Sequence, residues 1–339
     1  MTTQATQDVL IVGAGLAGLA LGRELARAGR RVTLLDKSRG VSGRSSTRRL
    51  AADRLELPLD HGARFFTARH PQTLAFVQEG LAAGWLREWT RSIPRWQGGT
   101  VVEEGGGHPR YAPPAGMNTL GRELGRGLKV ELEAQVVRLS QVAGGWRAEC
   151  GDGRSVEAAA AVLNLPAPQI VPLLEGAALD LSPFQAVAFD PCWAVGALLH
   201  ADVAGADWPA LRMQDHPALE WIAREHTKRS PTAPHTPALM LHARPDWTRQ
   251  HLQDDKAQVA AALLEHARDV VGPLELRASF AHRWLYATPT VRYPHSHGWL
   301  PDSSLGWCGD WCTPDPHGPR VEAALLSGWA LAEALTVRS

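Results

Sequence analysis

The stretch DVLIVGAGLAGLALGRELARAGRRVTLLDKS, residues 8–38, decides the fold. Val9 to Val12 is a short apolar run of the kind a buried parallel strand carries. Gly13, Gly15 and Gly18 then set out G-x-G-x-x-G at the point where the strand gives way to a helix. Leu16, Leu19, Ala20 and Leu25 recur at helical spacing, and Gly29 ends the helix. Arg31 to Leu35 is a second strand, closed by Asp36.

Each of these residues has a physical task. Gly13 permits the tight turn, Gly15 lets the backbone approach a pyrophosphate, and Gly18 lets helix and strand pack closely. Leu16 and Ala17 open a helix whose free N–H groups and partial positive charge favour phosphate. Asp36 lies eighteen residues beyond Gly18, where a carboxylate accepts from an adenosine ribose and disfavours a 2′-phosphate. Lys37 follows it in the same adenosine region. The fingerprint predicts a dinucleotide without separating FAD from NAD.

The 339 residues leave room for about two domains. A formal net charge of zero gives no global field for nucleic acid or anionic lipid, so neither is an expected partner. Cys150, Cys192, Cys308 and Cys312 are too few and too irregular for a disulfide framework, which points to a reducing compartment. MTTQATQDVLIVG has no basic region before its short apolar run, and no apolar stretch near ~18 residues follows. A cytoplasmic location, away from membranes, is expected.

KSRGVSGRSSTRRL, residues 37–50, resembles the G-G-R-[MS]-x-[ST] extension of flavin enzymes of the amine-oxidase and renalase superfamily, with Ser42-Gly43-Arg44 in the key places. The resemblance implies that Arg44 contacts the pyrophosphate, which a guanidinium fork suits. LDHGARFFTARHP, residues 59–71, is similar to the D-x-G-A-Q-Y-F-T stretch of renalase-like proteins. It places His61, Gly62 and Ala63 beside the cofactor, with Arg64 and Phe65 where Gln and Tyr are usual. EAQVVRLSQVAGGWRAE, residues 133–149, reads as two strands around a Gly-Gly turn. In the superfamily such a strand pairs its backbone with adenine, which implicates Val136 or Val137. AAAAVLNLPAPQIV, residues 158–171, resembles the returning strand of the dinucleotide fold, with Asn164 in place of a smaller residue.

CGDWCTPDPHGPRVEAALLSG, residues 308–328, resembles the strand, G-D turn and R-V-E-x-A-x-x-S-G helix that end these flavoproteins. Gly309 and Asp310 form the turn, Pro319 begins the helix, and Val321 and Ala324 lie on its close-packed face. By the resemblance, Asp310 meets the ribityl or pyrophosphate region. The backbone entering the helix at Arg320, Val321 and Glu322 faces flavin N1 and C2=O. Cys308 and Cys312 have C-x3-C spacing with His317 beyond, but no second knuckle supplies a fourth ligand, so no metal is expected.

PCW at 191–193, LEWIAREHTKR at 219–229, ALMLHARPDW at 238–247 and AHRWLYATPT at 281–290 resemble bacterial renalase-like FAD-dependent oxidoreductases. That resemblance implies an α/β fold: a Rossmann-type, glutathione-reductase-like FAD-binding domain interleaved with a mixed-sheet α+β substrate domain. Residues 1–65, 116–167 and 286–339 fall in the first, and 66–115 and 168–285 in the second.

The implied activity is oxidation of the 2- and 6-dihydro isomers of NAD(P) by hydride transfer to N5 of noncovalently bound FAD, with reoxidation by O2 giving H2O2. Phe65, His242 and Trp284, with Arg64 and Tyr286, are the candidate pocket, because aromatic walls suit a flat pyridine. Oxidation of a small amine is the alternative. The amine-oxidising relatives place a lysine near flavin N5, and this chain has only Lys37, Lys129, Lys228 and Lys256. Lys256 sits on an amphipathic helix and Lys228 in a loop expected near the surface. A nonenzymatic flavin-binding sensor is the remaining alternative.

Overall fold

The computed structural model describes residues 7–53, 55–229, 236–318 and 320–336; Pro319, expected to begin the last helix, lies outside them. Two large sheets dominate. The first runs in the order Val136–Val142, Gly145–Cys150, Ser155–Leu163, Gln7–Val12, Val32–Leu35, Lys129–Glu131. Gln7–Val12 is flanked by parallel partners on both sides, Val32–Leu35 and Ser155–Leu163. Its continuous apolar character follows from burial on both faces. Leu305–Trp307 adds in parallel to Ser155–Leu163, and Gly298–Leu300 pairs antiparallel beyond it, so strands from the far end of the chain extend the sheet.

The helix Leu16–Arg27 lies against the helix Val321–Thr336, and a Cβ added at Gly328 would stand 2.2 Å from the Ala17 carbonyl oxygen. Only a glycine allows that approach, which brings the middle of the last helix against the start of the first. The Gly-Gly turn forms between Val136–Val142 and Gly145–Cys150, with Gly144 at φ 85°.

The second sheet runs in the order Leu276–Val291, Ala188–Leu199, Ala238–Ala243, Leu219–Arg224, Ala210–Met213, Arg95–Gln97, Thr100–Val102. Its sequence alternation divides two cores. Val195, Leu239 and Leu241 meet Val259, Leu263 and Leu264 of the helix Lys256–Val271. Ala194, Trp221, Met240 and Phe280 face the other way, into one cluster with Leu57, Leu59 and the first helix. The strand Leu276–Val291 passes unbroken through 285–286, where the resemblance puts a domain boundary. No helix of the described residues is long and apolar enough to cross a membrane.

Candidate flavin site

The glycine turn is held from both sides by backbone bonds. Gly13 N–H donates to Leu35 O and Asn164 N–H donates to Val12 O, each at 2.8 Å. Gly13 has φ +103°, and a Cβ there would lie 2.3 Å from the Asn164 carbonyl oxygen. Gly15 and Gly18 would each bring a Cβ within 2.8 Å of Asn164 Oδ1, so the larger Asn164 fills the space their missing side chains leave. That Oδ1 is buried without a hydrogen-bond partner, while Nδ2 donates to Cys308 O at 3.0 Å.

Asp36 is buried at the end of the second strand. Its carboxylate accepts from Ala14 N–H and from Ser38 N–H, both at 2.7 Å, one on each oxygen. Each oxygen keeps a lone pair for a ribose hydroxyl. Lys37 turns to Gln169, 3.4 Å away. Nearby, the register of the 136–150 hairpin shifts between Val136 and Arg138, leaving Val137 outside the ladder and exposed. An unpaired backbone group is what edge-on contact with a base requires.

Ser42, a departure from the resembled pattern, adopts φ 96° and bridges Gly15. Its hydroxyl accepts from Gly121 N–H at 3.0 Å and donates to Asn118 O at 3.2 Å, which offsets the strain of that backbone conformation. Gly43 follows closely, with a prospective Cβ 3.3 Å from Gly15 Cα. Arg44 then pairs with Asp310 at 2.5 Å, joining segments that lie far apart in sequence. Gly62 packs its α-carbon onto the Arg44 carbonyl, where a Cβ would stand 1.9 Å from the oxygen, and Ala63 N–H donates to that oxygen at 2.8 Å. Gly309 N–H donates to Ser327 Oγ at 2.9 Å, tying the turn to the last helix.

At that helix the side chain of Glu322 points to the 69–70 segment, accepting from Arg69 N–H at 2.6 Å and His70 N–H at 2.8 Å. Arg320 bridges it to Asp315. Burial raises the Glu322 carboxyl, but those donors outweigh it and hold the group below the usual range. The first-turn N–H groups, Val321 and Glu322 among them, have no partner within the helix by construction. A turn without room for side chains, an acid with spare acceptors, an orphaned amide oxygen and a guanidinium–carboxylate pair together fit FAD.

The wall above this region is built on the 59–66 segment and the inward face of the second sheet. His61 stacks on Trp284 with ring centroids 5.3 Å apart, and His282 lies 4.3 Å from Trp284. The His61 carbonyl accepts from Trp284 Nε1–H at 2.8 Å and lies 3.3 Å from His242 Nε2. Phe65 sits 5.8 Å from Trp221, whose ring Arg64 overlies at 4.9 Å while pairing with Glu220 at 2.8 Å. Phe65, Arg64, His242 and Trp284 are thus brought to one wall through His61 and Trp221. Tyr286 stands apart, 5.8 Å from Phe189, the ring that Arg44 overlies. His282 is missing from the sequence-based candidates although its i, i+2 spacing to Trp284 on a strand signals a shared face.

All three histidines of the wall are uncharged. Burial, with the neighbouring His282, lowers His61 to about 4. Burial, with Lys256 and Arg48, lowers His282 to about 4. Burial, with Arg64, puts His242 well below its ordinary value.

The expectation for Lys228 is overturned. It is fully buried, not near the surface, and pairs with Glu225 and, at 3.5 Å, with Asp60. Arg229 also pairs with Asp60, at 3.1 Å, and with Glu225, at 2.8 Å. Two acids and two bases therefore close on one another in the interior. Asp60 also accepts from Thr47 Oγ1–H at 2.7 Å and Met117 N–H at 2.8 Å. For Asp60 the burial cost is outweighed by Arg229 and Lys228, and its carboxyl is lowered; for Glu225 burial prevails, and its carboxyl is raised. Glu225, Lys228 and Arg229 sit within one short turn at i,i+3 and i,i+4 spacing, but no local pattern reveals that the turn is buried, because the fourth member, Asp60, is remote in the chain.

Cys308 and Cys312 are both buried, and burial pushes both thiols up. His317 is exposed. Among the described residues no group of three or more His, Cys, Asp or Glu is placed to hold a metal.

Residues 11–79 match the NAD(P)-binding Rossmann-like domain, and residues 101–336 match the flavin containing amine oxidoreductase family. The chain belongs to that family, and FAD is its cofactor. A Mycobacterium tuberculosis chain named as a flavin-containing monoamine oxidase, AofH, is 37% identical over 94 residues, which are 27% of this chain and 20% of that one. Protein FLOWERING LOCUS D of Arabidopsis thaliana is 36% identical over 76 residues, 22% of this chain and 10% of that one. The matched part thus spans about a fifth or less of these curated relatives. Two solved structures share the fold across nearly the whole chain. A chain described as a protoporphyrinogen oxidase, from Exiguobacterium sp. 255-15, has a TM-score of 0.75 at 14% identity, covering 99% of this chain and 100% of that one. Putrescine oxidase bound to putrescine has a TM-score of 0.71 at 14% identity, covering 98% of this chain and 100% of that one.

Proposed function

We propose that the chain is a renalase-like oxidase acting on the 2- and 6-dihydro isomers of NAD(P). Residues 1–65, 116–167 and 286–339 form the FAD-binding part in this reading, and 66–115 and 168–285 the substrate part. Bound FAD would supply the hydride acceptor, and O2, taking up the electron pair with the donor's hydrogen as a proton and one further proton from solvent, would leave as H2O2. Gly13, Gly15, Asp36, Arg44 and Asp310 hold it, and Phe65, His242 and Trp284 orient the substrate ring.

The observation that carries this reading is that the basic groups along the described wall are weakened or already engaged. His61, His242 and His282 are all depressed by burial, and Lys228 is enclosed by Asp60 and Glu225. A dihydropyridine becomes aromatic as its hydride leaves, so the protein need supply no proton acceptor. The rings of Phe65 and Trp284 supply flat apolar surface against which the pyridine is oriented, with the Arg64 guanidinium beside them.

The test is anaerobic mixing of the yellow holoprotein with 2- or 6-dihydro-NAD and, separately, with simple amines, following flavin absorbance. Bleaching by the dihydropyridines is expected. Bleaching by amines alone would replace this reading with amine oxidation. Bleaching by no donor would point to a nonenzymatic flavin protein.

A further inference from the structure

The pairing register of the second sheet lines up a row of side chains on its inward face. His282 opposes Ala194, Ala194 opposes His242, and His242 opposes Trp221. Trp221 opposes Arg212, and Arg212 opposes Arg95. Directly paired residues share a face, and inner members of this row lie in the cluster that faces the 59–66 segment. The row therefore runs from the His61–Trp284 stack at one end to arginines at the other.

Arg110 joins that second end from a separate strand, its guanidinium 5.7 Å from the Phe65 centroid. It donates to the carbonyls of Arg91 at 2.5 Å and His108 at 3.5 Å, and no carboxylate pairs with it among the described residues. Glu104 pairs with Arg95 at 2.8 Å and with Arg212 at 3.6 Å. Two guanidiniums thus share one carboxylate, and the third, Arg110, has no carboxylate partner among the described residues. Burial and the charge of Arg212 depress Arg110, opposed only by Glu104, which is the signature of a cation short of anions.

We propose that Arg95, Arg110 and Arg212 form an anion subsite that takes the pyrophosphate of the dinucleotide substrate while its pyridine lies along Phe65, His242 and Trp284. The inference rests on the dihydropyridine reading and deepens it. Two inter-strand steps, about 10 Å, separate the strand of His242 from that of Arg212. A ribose between pyridine and pyrophosphate spans a length of that order. Guanidinium forks match phosphate oxygens, and the same positive excess repels a small cationic amine.

The experiment uses FAD-loaded protein carrying Arg110→Gln, Arg212→Gln, or both. Arg212 is exposed, so its variant tests the subsite even where Arg110→Gln disturbs folding. Two donors are compared in anaerobic bleaching: 6-dihydro-NAD and the phosphate-free 1-methyl-1,6-dihydronicotinamide. The preference for the dinucleotide over the phosphate-free donor is expected to fall about tenfold for each arginine removed, the effect of one charge-assisted contact. An unchanged preference overturns the subsite and leaves the dihydropyridine reading standing. If wild type responds to neither donor, that reading fails instead. The subsite is then judged by titrating inorganic pyrophosphate against tryptophan fluorescence, with about tenfold weaker binding in the Arg212→Gln protein expected. Equal binding to wild type and variant overturns it.

Discussion

The glycine turn at 13–18 and the segment at 59–66, which both border the flavin in the proposed reading, are fixed by opposite means. The turn is held by close approach: Gly13, Gly15 and Gly18 leave room that Asn164 occupies, and main-chain bonds to Leu35 and Val12 pin it on either side. The 59–66 segment is held by buried charge. Asp60 lies at its start among Glu225, Lys228 and Arg229, each 4% exposed or less, with hydrogen bonds reaching Thr47 and Met117. Close packing needs no partner in another element to be neutralised. A buried ion does, so the wall is positioned only when the 225–229 turn docks correctly.

The largest expected effect comes from opening the quartet. Lys228→Met leaves two carboxylates facing one guanidinium in the interior, and should cost about 3–5 kcal/mol of unfolding free energy in denaturant titration. Adding Glu225→Gln restores balance between Asp60 and Arg229, so the double variant should recover much of that loss. If the double variant is as unstable as the single one, the contact of the Lys228 ammonium with the Trp89 ring, 5.1 Å from its centroid, governs the site and the contrast with the turn disappears.

These two regions also differ in how far a sequence discloses them. The strand, glycines, helix and Asp36 of the turn occur within residues 8–38, and each is required by local geometry, so the motif is readable residue by residue. Arg44 and Asp310 are readable only through resemblance, since nothing local predicts that they meet. The wall is harder still. His242 on an apolar strand announces one face, but which side chains flank it depends on register across six strands, set by tertiary packing. Lys228 in EHTKR looks solvated because its partner Asp60 is remote in the chain. Ionic partners that meet only after folding leave no periodicity behind them.

A second prediction sharpens the electrostatic side of the contrast. Folding holds the His61 pKa near 4 against 6.5 in an unfolded chain, with burial as the main cause. Between those values the unfolded state binds more protons, so unfolding free energy falls as pH drops below about 6.5 and levels off below about 4. The His61 contribution to that fall should be about 3 kcal/mol by pH 4. Comparing wild type with His61→Phe across that range isolates it from the carboxylates, and the difference between the two should stop changing with pH by about pH 7.5. Parallel curves for the two proteins would mean that His61 is accessible to protons in the folded state.

The smallest stability effect is expected at the turn, although its consequence for the cofactor is severe. Gly13→Ala places a side chain at φ +103° with its Cβ 2.3 Å from a main-chain oxygen that cannot swing away. Strain of that kind costs about 1–3 kcal/mol, because a local opening of the turn relieves it while the sheet on either side stays paired. The loss should therefore be modest in denaturant titration. The purified protein should nevertheless be nearly colourless, since the displaced backbone no longer meets the pyrophosphate, and circular dichroism should remain that of the wild type. Full retention of flavin would show that the Arg44–Asp310 pair, rather than the glycine backbone, dominates cofactor affinity. Lys228→Met should show the reverse balance, a large stability loss with flavin retained in the fraction that folds. The two variants therefore separate a region whose geometry serves the ligand from one whose charges hold the fold around it.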